Sequence, residues 1–278
     1  MSASLGFVRA LPRKMVSRAL GWLSELPMPS ILLKPVLSAY SKGFGVDMSE
    51  AARPFSAYAS FNDFFTRELR DGLRPLAPDP VVSPVDGRVY ASGNVEHGTI
   101  LQVKDVPYAV AALLGSAADA APFDGGSYLT AYLSPKDYHR IHWPIDGAVD
   151  HIRHLPGDLW PVNDGALAGV PGLFARNERV AMLGTTDRGH AFALVPVGAL
   201  NVGSIRLVFH RLRTNRGGRA VPRTIRFPSP IRASRGVEAA RFAFGSAVVL
   251  LLAPEAGPLP RPPPGTVVRV GARLPSSA

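Results

Sequence analysis

The chain has 278 residues, of which 46% are hydrophobic and 19% are charged, and this composition excludes a disordered chain and indicates a globular protein with a sizeable core. It has no cysteine, which excludes disulfides and thiolate metal sites. The formal charge is +10, so we expect an anionic partner such as an acidic lipid, a phosphate-bearing substrate or a nucleic acid.

Residues 1–45 predict amphipathic helices. Val8, Leu11, Met15, Ala19, Trp22 and Leu23 share one helical face, while Arg9, Arg13, Lys14 and Arg18 lie mostly elsewhere. A second apolar segment runs from Ile31 to Tyr40, and we place the start of its helix at Pro35. Two interpretations fit these helices: they lie in the headgroup region of an anionic membrane, or they form a hairpin that packs on the main domain. The N-terminus does not have the pattern of a signal peptide, and no stretch predicts a transmembrane helix.

The rest of the chain predicts one short helix over residues 60–69, capped by Ser60 or Asn62, followed by a β-rich region. The arginine-rich, acid-free stretch 206–235 is interpreted as a solvated or phosphate-facing loop. Together these elements predict an α+β fold, with N-terminal helices followed by a β-rich domain of barrel-sandwich-like character. The predicted strands are Gly87–Ala91, Ile100–Val103, Ser127–Leu133, Ala148–His154, Arg179–Leu183, His190–Val197, Val202–Leu207, Ala247–Leu252 and Thr266–Leu274, and the predicted helix among them is Tyr108–Leu114.

The pair Gly245-Ser246 immediately precedes the apolar run 247–253, which predicts a buried strand. One interpretation is a core serine whose hydroxyl donates to a neighbouring carbonyl. The other is self-chemistry, because the Gly245 carbonyl carries no neighbouring side chain that would hinder attack by the Ser246 hydroxyl. The resulting ester can eliminate to dehydroalanine, which hydrolyses to a pyruvoyl group and leaves the chain cut.

Histidines and aspartates supply the other candidate chemistry. His139 and His142 have a spacing that suits either a metal or a general base, and His151 and His154 repeat it. Asp86 precedes a glycine, so its default role is a turn, but an aspartate can also orient a histidine. We expect no metal site.

Several segments carry motifs that have to be considered together. The two most specific are Asp137-Tyr-His-Arg-Ile-His142 and Val197-Gly-Ala-Leu-Asn-Val-Gly-Ser-Ile205. The others are residues 61–69, 83–87, 102–104, 113–115, 132–144, 155–159, 177–180 and 244–248. Taken together and in order, these segments resemble the phosphatidylserine decarboxylases of the bacterial, membrane-associated, pyruvoyl-dependent type. That family's Leu-Gly-Ser-Thr cleavage segment is Phe244-Gly-Ser-Ala247 in this chain.

The resemblance implies a mechanism and a set of residues. Asp86 would orient His142, which would deprotonate Ser246 for attack on Gly245. Cleavage would give a larger chain 1–245 and a smaller chain 246–278 whose first residue is the pyruvoyl group, the cofactor. Phosphatidylserine would form a Schiff base with this group, lose CO2 and leave as phosphatidylethanolamine, with His139 implicated in the decarboxylation.

The resemblance also implies partners and a place in the cell. We expect residues 1–60 to associate with the membrane and residues 61–278 to form the decarboxylase domain, peripheral on the cytoplasmic face of the cell membrane. The two chains of the precursor would form a heterodimer, which could assemble further, and we expect no nucleic-acid partner. The main alternative is a processing-deficient relative that binds anionic lipid without catalysis. A serine hydrolase, a lipoyl-type carrier and an arginine-driven nucleic-acid binder are weaker alternatives.

Overall fold

The computed structural model describes residues 12–102, 106–200, 204–215, 221–243 and 247–276. It confirms the α+β prediction, with helices first and a large antiparallel sheet after them. Gly245 and Ser246 lie outside the described residues, as does Val202 of a predicted strand.

Two N-terminal helices precede the sheet. Helix α1 spans Arg13–Glu25, and helix α2 spans Ser30–Phe44. The predicted start at Pro35 is wrong, because α2 begins one turn earlier and contains this proline. Leu33 and Leu37, four residues apart on one face of α2, are fully buried in a small core that includes Phe64.

A short helix, α3, spans Phe61–Phe65, and its N-terminus is capped by Ser60, whose hydroxyl accepts a hydrogen bond from the Asp63 amide at 3.1 Å. The sequence had predicted a longer helix. Four further short helices follow within the β-rich part of the described chain: α4 Val110–Leu114, α5 Ala117–Ala120, α6 Asp164–Gly169 and α7 Leu173–Arg176.

The strands of the described chain are β1 Gly87–Asn94, β2 Thr99–Leu101, β3 Pro107–Ala109, β4 Ser127–Tyr132, β5 Arg140–His142, β6 Gly147–Leu155, β7 Arg179–Thr186, β8 Ala191–Val197, β9 Ile205–Leu207, β10 Arg223–Ala233, β11 Glu238–Phe242, β12 Ala247–Leu252 and β13 Val267–Val268. Over the described residues, eight of them form one antiparallel sheet in the order β10-β6-β7-β8-β12-β4-β1-β13. A smaller sheet has the order β5-β11-β9, and β2 and β3 pair as a hairpin.

The apolar run after Ser246 is strand β12, a central strand between β8 and β4, and all six of its residues are buried. The arginine-rich stretch is not a loop throughout: its residues 223–233 form β10, the exposed strand at one edge of the sheet. Edge strands tolerate charge and proline, which β10 contains at Pro228 and Pro230.

Candidate active site

The described residues on both sides of Gly245-Ser246 belong to different sheets. Before the pair, Phe242 ends β11, and its amide donates to the His139 carbonyl at 3.0 Å. After the pair, Ala247 opens β12 and pairs with Tyr132 of β4. The segment that carries the candidate histidines therefore contacts the described residues on both sides of the candidate cleavage site.

His139 is fully buried, and its ring centroid lies 4.0 Å from that of Phe65. Nδ1 lies 2.8 Å from the Asp137 carbonyl oxygen, which can only accept, so Nδ1 carries the hydrogen. Nε2 is buried and has no hydrogen-bond partner among the described residues. Desolvation, with a smaller effect from the charge of Arg67, lowers the pKa of His139 to about 3. The imidazole is therefore neutral at physiological pH, with a bare Nε2.

His142 lies three residues further along the chain, on β5. Its Nδ1 lies 2.7 Å from the Gly236 carbonyl oxygen and must donate to it. Its Nε2 lies 3.2 Å from the Tyr138 hydroxyl and accepts from it. Burial is the largest effect on the pKa of His142 and lowers it, whereas the Gly236 carbonyl and the charges of Glu238 and Asp86 act in the opposite direction. His142 is thus a neutral histidine in the tautomer that a general base at Nε2 requires.

Asp86 is buried immediately before β1, but its hydrogen-bond partners in the described chain differ from the expected one. Both carboxylate oxygens accept from Arg74, with Nε at 3.0 Å from each, and Oδ1 also accepts from the Val270 amide at 2.8 Å. Arg74 in turn binds Glu50, with 2.7 Å between Nη2 and Oε2. The Gly236 carbonyl, rather than Asp86, holds the His142 imidazole, and the charge of Asp86 raises the pKa of His142 against the larger effect of burial.

A buried arginine connects the two strands beside the histidines. Arg140 Nη1 donates to Glu238 Oε2 at 2.9 Å, and Arg140 Nε donates to the Thr66 carbonyl at 3.0 Å. These bonds join β5, β11 and the residue after α3. Glu238 also pairs with Arg241 on the same strand, with 2.9 Å between Glu238 Oε1 and Arg241 Nε.

The second histidine pair lies on β6 and binds carboxylates. His154 Nε2 is 2.9 Å from Glu178 Oε1, and His151 Nε2 is 3.5 Å from Asp119 Oδ2. Within the described ranges, no group of three or more histidine, aspartate or glutamate side chains is arranged to hold a metal ion.

The sequence analysis missed four groups that contact or adjoin the candidate residues: Arg67, Arg74, Tyr138 and the carbonyl of Gly236. Tyr138 and Arg67 stood within the motifs that carried the family resemblance. Gly236 acts through its backbone, which leaves no sequence signal.

Comparison with known proteins gives one consistent result. Residues 61–275 match the model of the family described as phosphatidylserine decarboxylase. A protein named phosphatidylserine decarboxylase proenzyme from Anaeromyxobacter sp. (strain K) is 44% identical over 276 residues, which cover 98% of this chain and 97% of the relative. Proteins of the same name from Polaromonas sp. and Acidovorax ebreus are 42% and 50% identical, over 98% and 79% of this chain and 92% and 78% of their own lengths.

Proposed function

The chain belongs to the phosphatidylserine decarboxylase family, and we propose that it acts through a pyruvoyl group made by cleavage of its own backbone between Gly245 and Ser246. The reaction of the family converts phosphatidylserine to phosphatidylethanolamine and CO2. The observation that carries the proposal is the position of His139 and His142, two neutral histidines, the first fully buried and the second half-buried, on the segment beside β11 and β12.

Cleavage would begin with attack of Ser246 Oγ on the Gly245 carbonyl carbon. The serine proton would pass to a base, the C–N bond would break, and the Ser246 amine would leave with a proton, which makes an ester. Loss of the Ser246 α-proton would then break the Cβ–O bond. The Gly245 carboxylate would depart, and the dehydroalanine left behind would take up water and release ammonia to give the pyruvoyl group.

His142 is the proposed base for these proton transfers. Its Nδ1–H is fixed by the Gly236 carbonyl, so Nε2 holds the lone pair. The Tyr138 hydroxyl occupies this lone pair and would have to yield to the Ser246 hydroxyl. Asp86 would assist as a fixed negative charge that stabilises the imidazolium.

His139 is the proposed acid–base group of the decarboxylation. The bare, buried Nε2 of His139 is an acceptor without a partner among the described residues, so it is free to take up a proton. The pyruvoyl carbonyl supplies the electron sink for the loss of CO2. A substrate carboxylate would raise the pKa of His139, because an opposite charge favours the imidazolium, and Nε2 could then deliver a proton to the substrate carbon.

The two chains produced by cleavage, 1–245 and 246–278, would remain together as a heterodimer. Strand β12 would belong to the smaller chain, and its partners β8 and β4 to the larger one. Burial of each of its valines and leucines is worth about 1.5–3 kcal/mol, in addition to two ladders of backbone hydrogen bonds.

The N-terminal helices support a place at a membrane surface. Helix α1 contacts the domain through polar groups, among them Arg13, whose Nη2 lies 2.6 Å from Asp158 Oδ2, and Glu25, whose Oε1 lies 2.6 Å from Arg206 Nη2. Large apolar side chains of both helices are instead exposed: Met15, Leu20, Trp22, Leu23, Ile31, Leu32, Val36 and Phe44. No helix in the described part of the chain has the length and apolar character needed to cross a bilayer.

An exposed apolar set flanked by Lys14 and Lys34 fits the headgroup region of an anionic bilayer. We therefore propose that the protein is peripheral, on the cytoplasmic face of the cell membrane. Replacement of Trp22 and Ile31 by serine should reduce sedimentation with phosphatidylserine vesicles, while Val221→Ser, at an exposed valine outside these helices, should not. Equal sedimentation of both variants would contradict the proposed surface.

Intact mass under denaturing conditions tests the cleavage directly. We expect two fragments that meet at Gly245 and Ser246, the smaller one lighter by one ammonia than a fragment that starts with serine. Ser246→Ala should remain one chain, and Ser234→Ala, a serine of a nearby turn, should cleave normally. A single uncut chain in the unmodified protein would favour the lipid-binding relative without catalysis.

A further inference from the structure

Arg67, the second residue after α3, is a buried cation without a carboxylate partner among the described residues. It is 3% exposed, and its Nη2 donates to two backbone carbonyls, those of Lys136 at 2.8 Å and Asp137 at 3.2 Å. Its Nε and Nη1 atoms are buried and have no hydrogen-bond partner in the described ranges. Burial lowers the pKa of Arg67, since desolvation disfavours the charged form. A buried charge in this state needs an anion to offset its desolvation.

The side chain lines a cavity of about 470 Å³ between the N-terminal region and the sheet. Four further cations line it. Arg74 and Arg269 pair with acids of the cavity, whereas Arg88 and Lys136 are exposed and make no ion pair among the described residues. Glu50 and Asp86 are the acids that these arginines bind, and the other lining acids, Asp47, Asp137 and Asp164, form no ion pair in the described chain. Of the lining cations without an ion pair, Arg67 is the one whose charge is buried.

The same cavity adjoins the candidate active site. Tyr138, which binds His142, and Tyr132, which pairs with Ala247, both line it. Arg67 Nη2 and His139 Nδ1 both donate to the Asp137 carbonyl oxygen, at 3.2 Å and 2.8 Å, so the guanidinium and this imidazole are close neighbours. An anion held by Arg67 would therefore lie next to the histidines and to the start of β12.

We propose that this cavity binds the phosphodiester group of the lipid substrate and that Arg67 is its buried cationic ligand. This inference rests on the proposed function, which supplies the substrate. The phosphodiester keeps its charge throughout the reaction, so one cation can hold the substrate from binding to release. A cation paired with the substrate carboxylate would instead stabilise the ground state. The negative charge moves away from the carboxylate as CO2 forms, so this pairing would oppose the reaction.

The test compares the full-length protein with Arg67→Met and Arg67→Lys, after intact mass has verified cleavage of each. The matched control is Arg232→Met, at an exposed arginine that pairs with Asp187 outside the cavity. Short-chain phosphatidylserine is the substrate, and short-chain phosphatidylethanolamine, which keeps the phosphodiester but lacks the carboxylate, is the competitive inhibitor. Loss of a charge-assisted hydrogen bond should raise both the KM for the first and the inhibition constant for the second by about tenfold to a hundredfold in Arg67→Met.

We expect kcat to change less than KM, Arg67→Lys to recover part of the loss, and the control to match the unmodified protein. An increase confined to phosphatidylserine would assign Arg67 to the carboxylate and overturn the proposal, as would no change with either lipid. If Arg67→Met does not cleave, binding of phosphatidylethanolamine is measured by calorimetry on the uncut Ser246→Ala chain, with and without Arg67→Met. Weaker binding in the chain with Arg67→Met would support the proposal, and equal binding would overturn it. Failure of the unmodified protein to cleave would refute the proposed function, and this binding comparison would still decide the role of Arg67.

Discussion

Acid should destabilise the uncut chain through His139, by an amount that follows from the burial of this residue. Its pKa is about 3 in the folded protein, against an ordinary value of 6.5. Below about pH 6.5 the unfolded chain takes up a proton at this histidine that the folded chain does not. The stabilisation is therefore fully present above pH 6.5 and is lost as the pH falls toward 3. Between about pH 7.5 and pH 5 the loss amounts to about 2 kcal/mol.

Urea unfolding of the Ser246→Ala chain at these two pH values measures this loss, because the substitution keeps the protein a single chain. In a chain that also carries His139→Gln, the loss of unfolding free energy should be smaller by about 2 kcal/mol. His97→Gln, at an exposed histidine in a turn, is the control and should leave the loss unchanged. Equal losses with and without His139 would mean that the folded protein protonates this histidine readily, which would refute its burial as the cause of a low pKa.

Three further substitutions test other contacts of the site. Tyr138→Phe removes the hydroxyl that donates to Nε2 of His142, so the rate of cleavage, followed on a gel time course, should stay the same or rise by up to about tenfold. Slower cleavage would show that the Tyr138 hydroxyl takes part in the proton transfer. Asp86→Asn removes the carboxylate charge of buried Asp86, which pairs with half-buried Arg74, so we expect urea unfolding to show a loss of about 2–4 kcal/mol, together with slower cleavage. Unchanged stability would contradict the ion pair. Leu250→Ala in the centre of β12 should lower the free energy of unfolding by about 2–5 kcal/mol and favour separation of the cleaved chains in gel filtration. Chains that stay together with unchanged stability would argue against β12 as the strand that holds them together.

The sequence predicted the strands that are apolar or that alternate regularly between apolar and polar residues. It did not predict the strands that form only because they pair with a distant strand. Strands β4, β7, β8 and β12 lie where β-branched and apolar residues predicted them. Strand β5 has three residues, Arg140–His142, and carries no apolar pattern. Strand β10 is mostly exposed and contains two prolines, which weaken the strand signal, and pairing with β6 makes it a strand. In both cases the determining contacts are distant in sequence.

In the candidate site, too, the sequence predicted the residues themselves but not the distant groups that contact them. Histidine spacing and the family resemblance identified His139 and His142, because side-chain chemistry is visible in a sequence. The partners of these residues were not predictable, since His142 binds the Gly236 carbonyl, 94 positions away, and His139 binds a carbonyl of its own loop. Backbone acceptors exist at every residue, so only the fold decides which of them orients an imidazole.

The topology around Gly245 and Ser246 accounts for how a chain can be cut at this point and stay folded. Tyr132 pairs with Ala247, and Arg140 pairs with Arg241, so one segment, residues 132–140, reaches the described strands on both sides of Gly245-Ser246. Those two strands, β11 and β12, belong to different sheets. Their described pairings lie outside the bond proposed to break, so a cut at that bond leaves these pairings in place. Because that neighbouring segment also carries His139, the group proposed to serve the decarboxylation would keep its position beside the new terminus after cleavage.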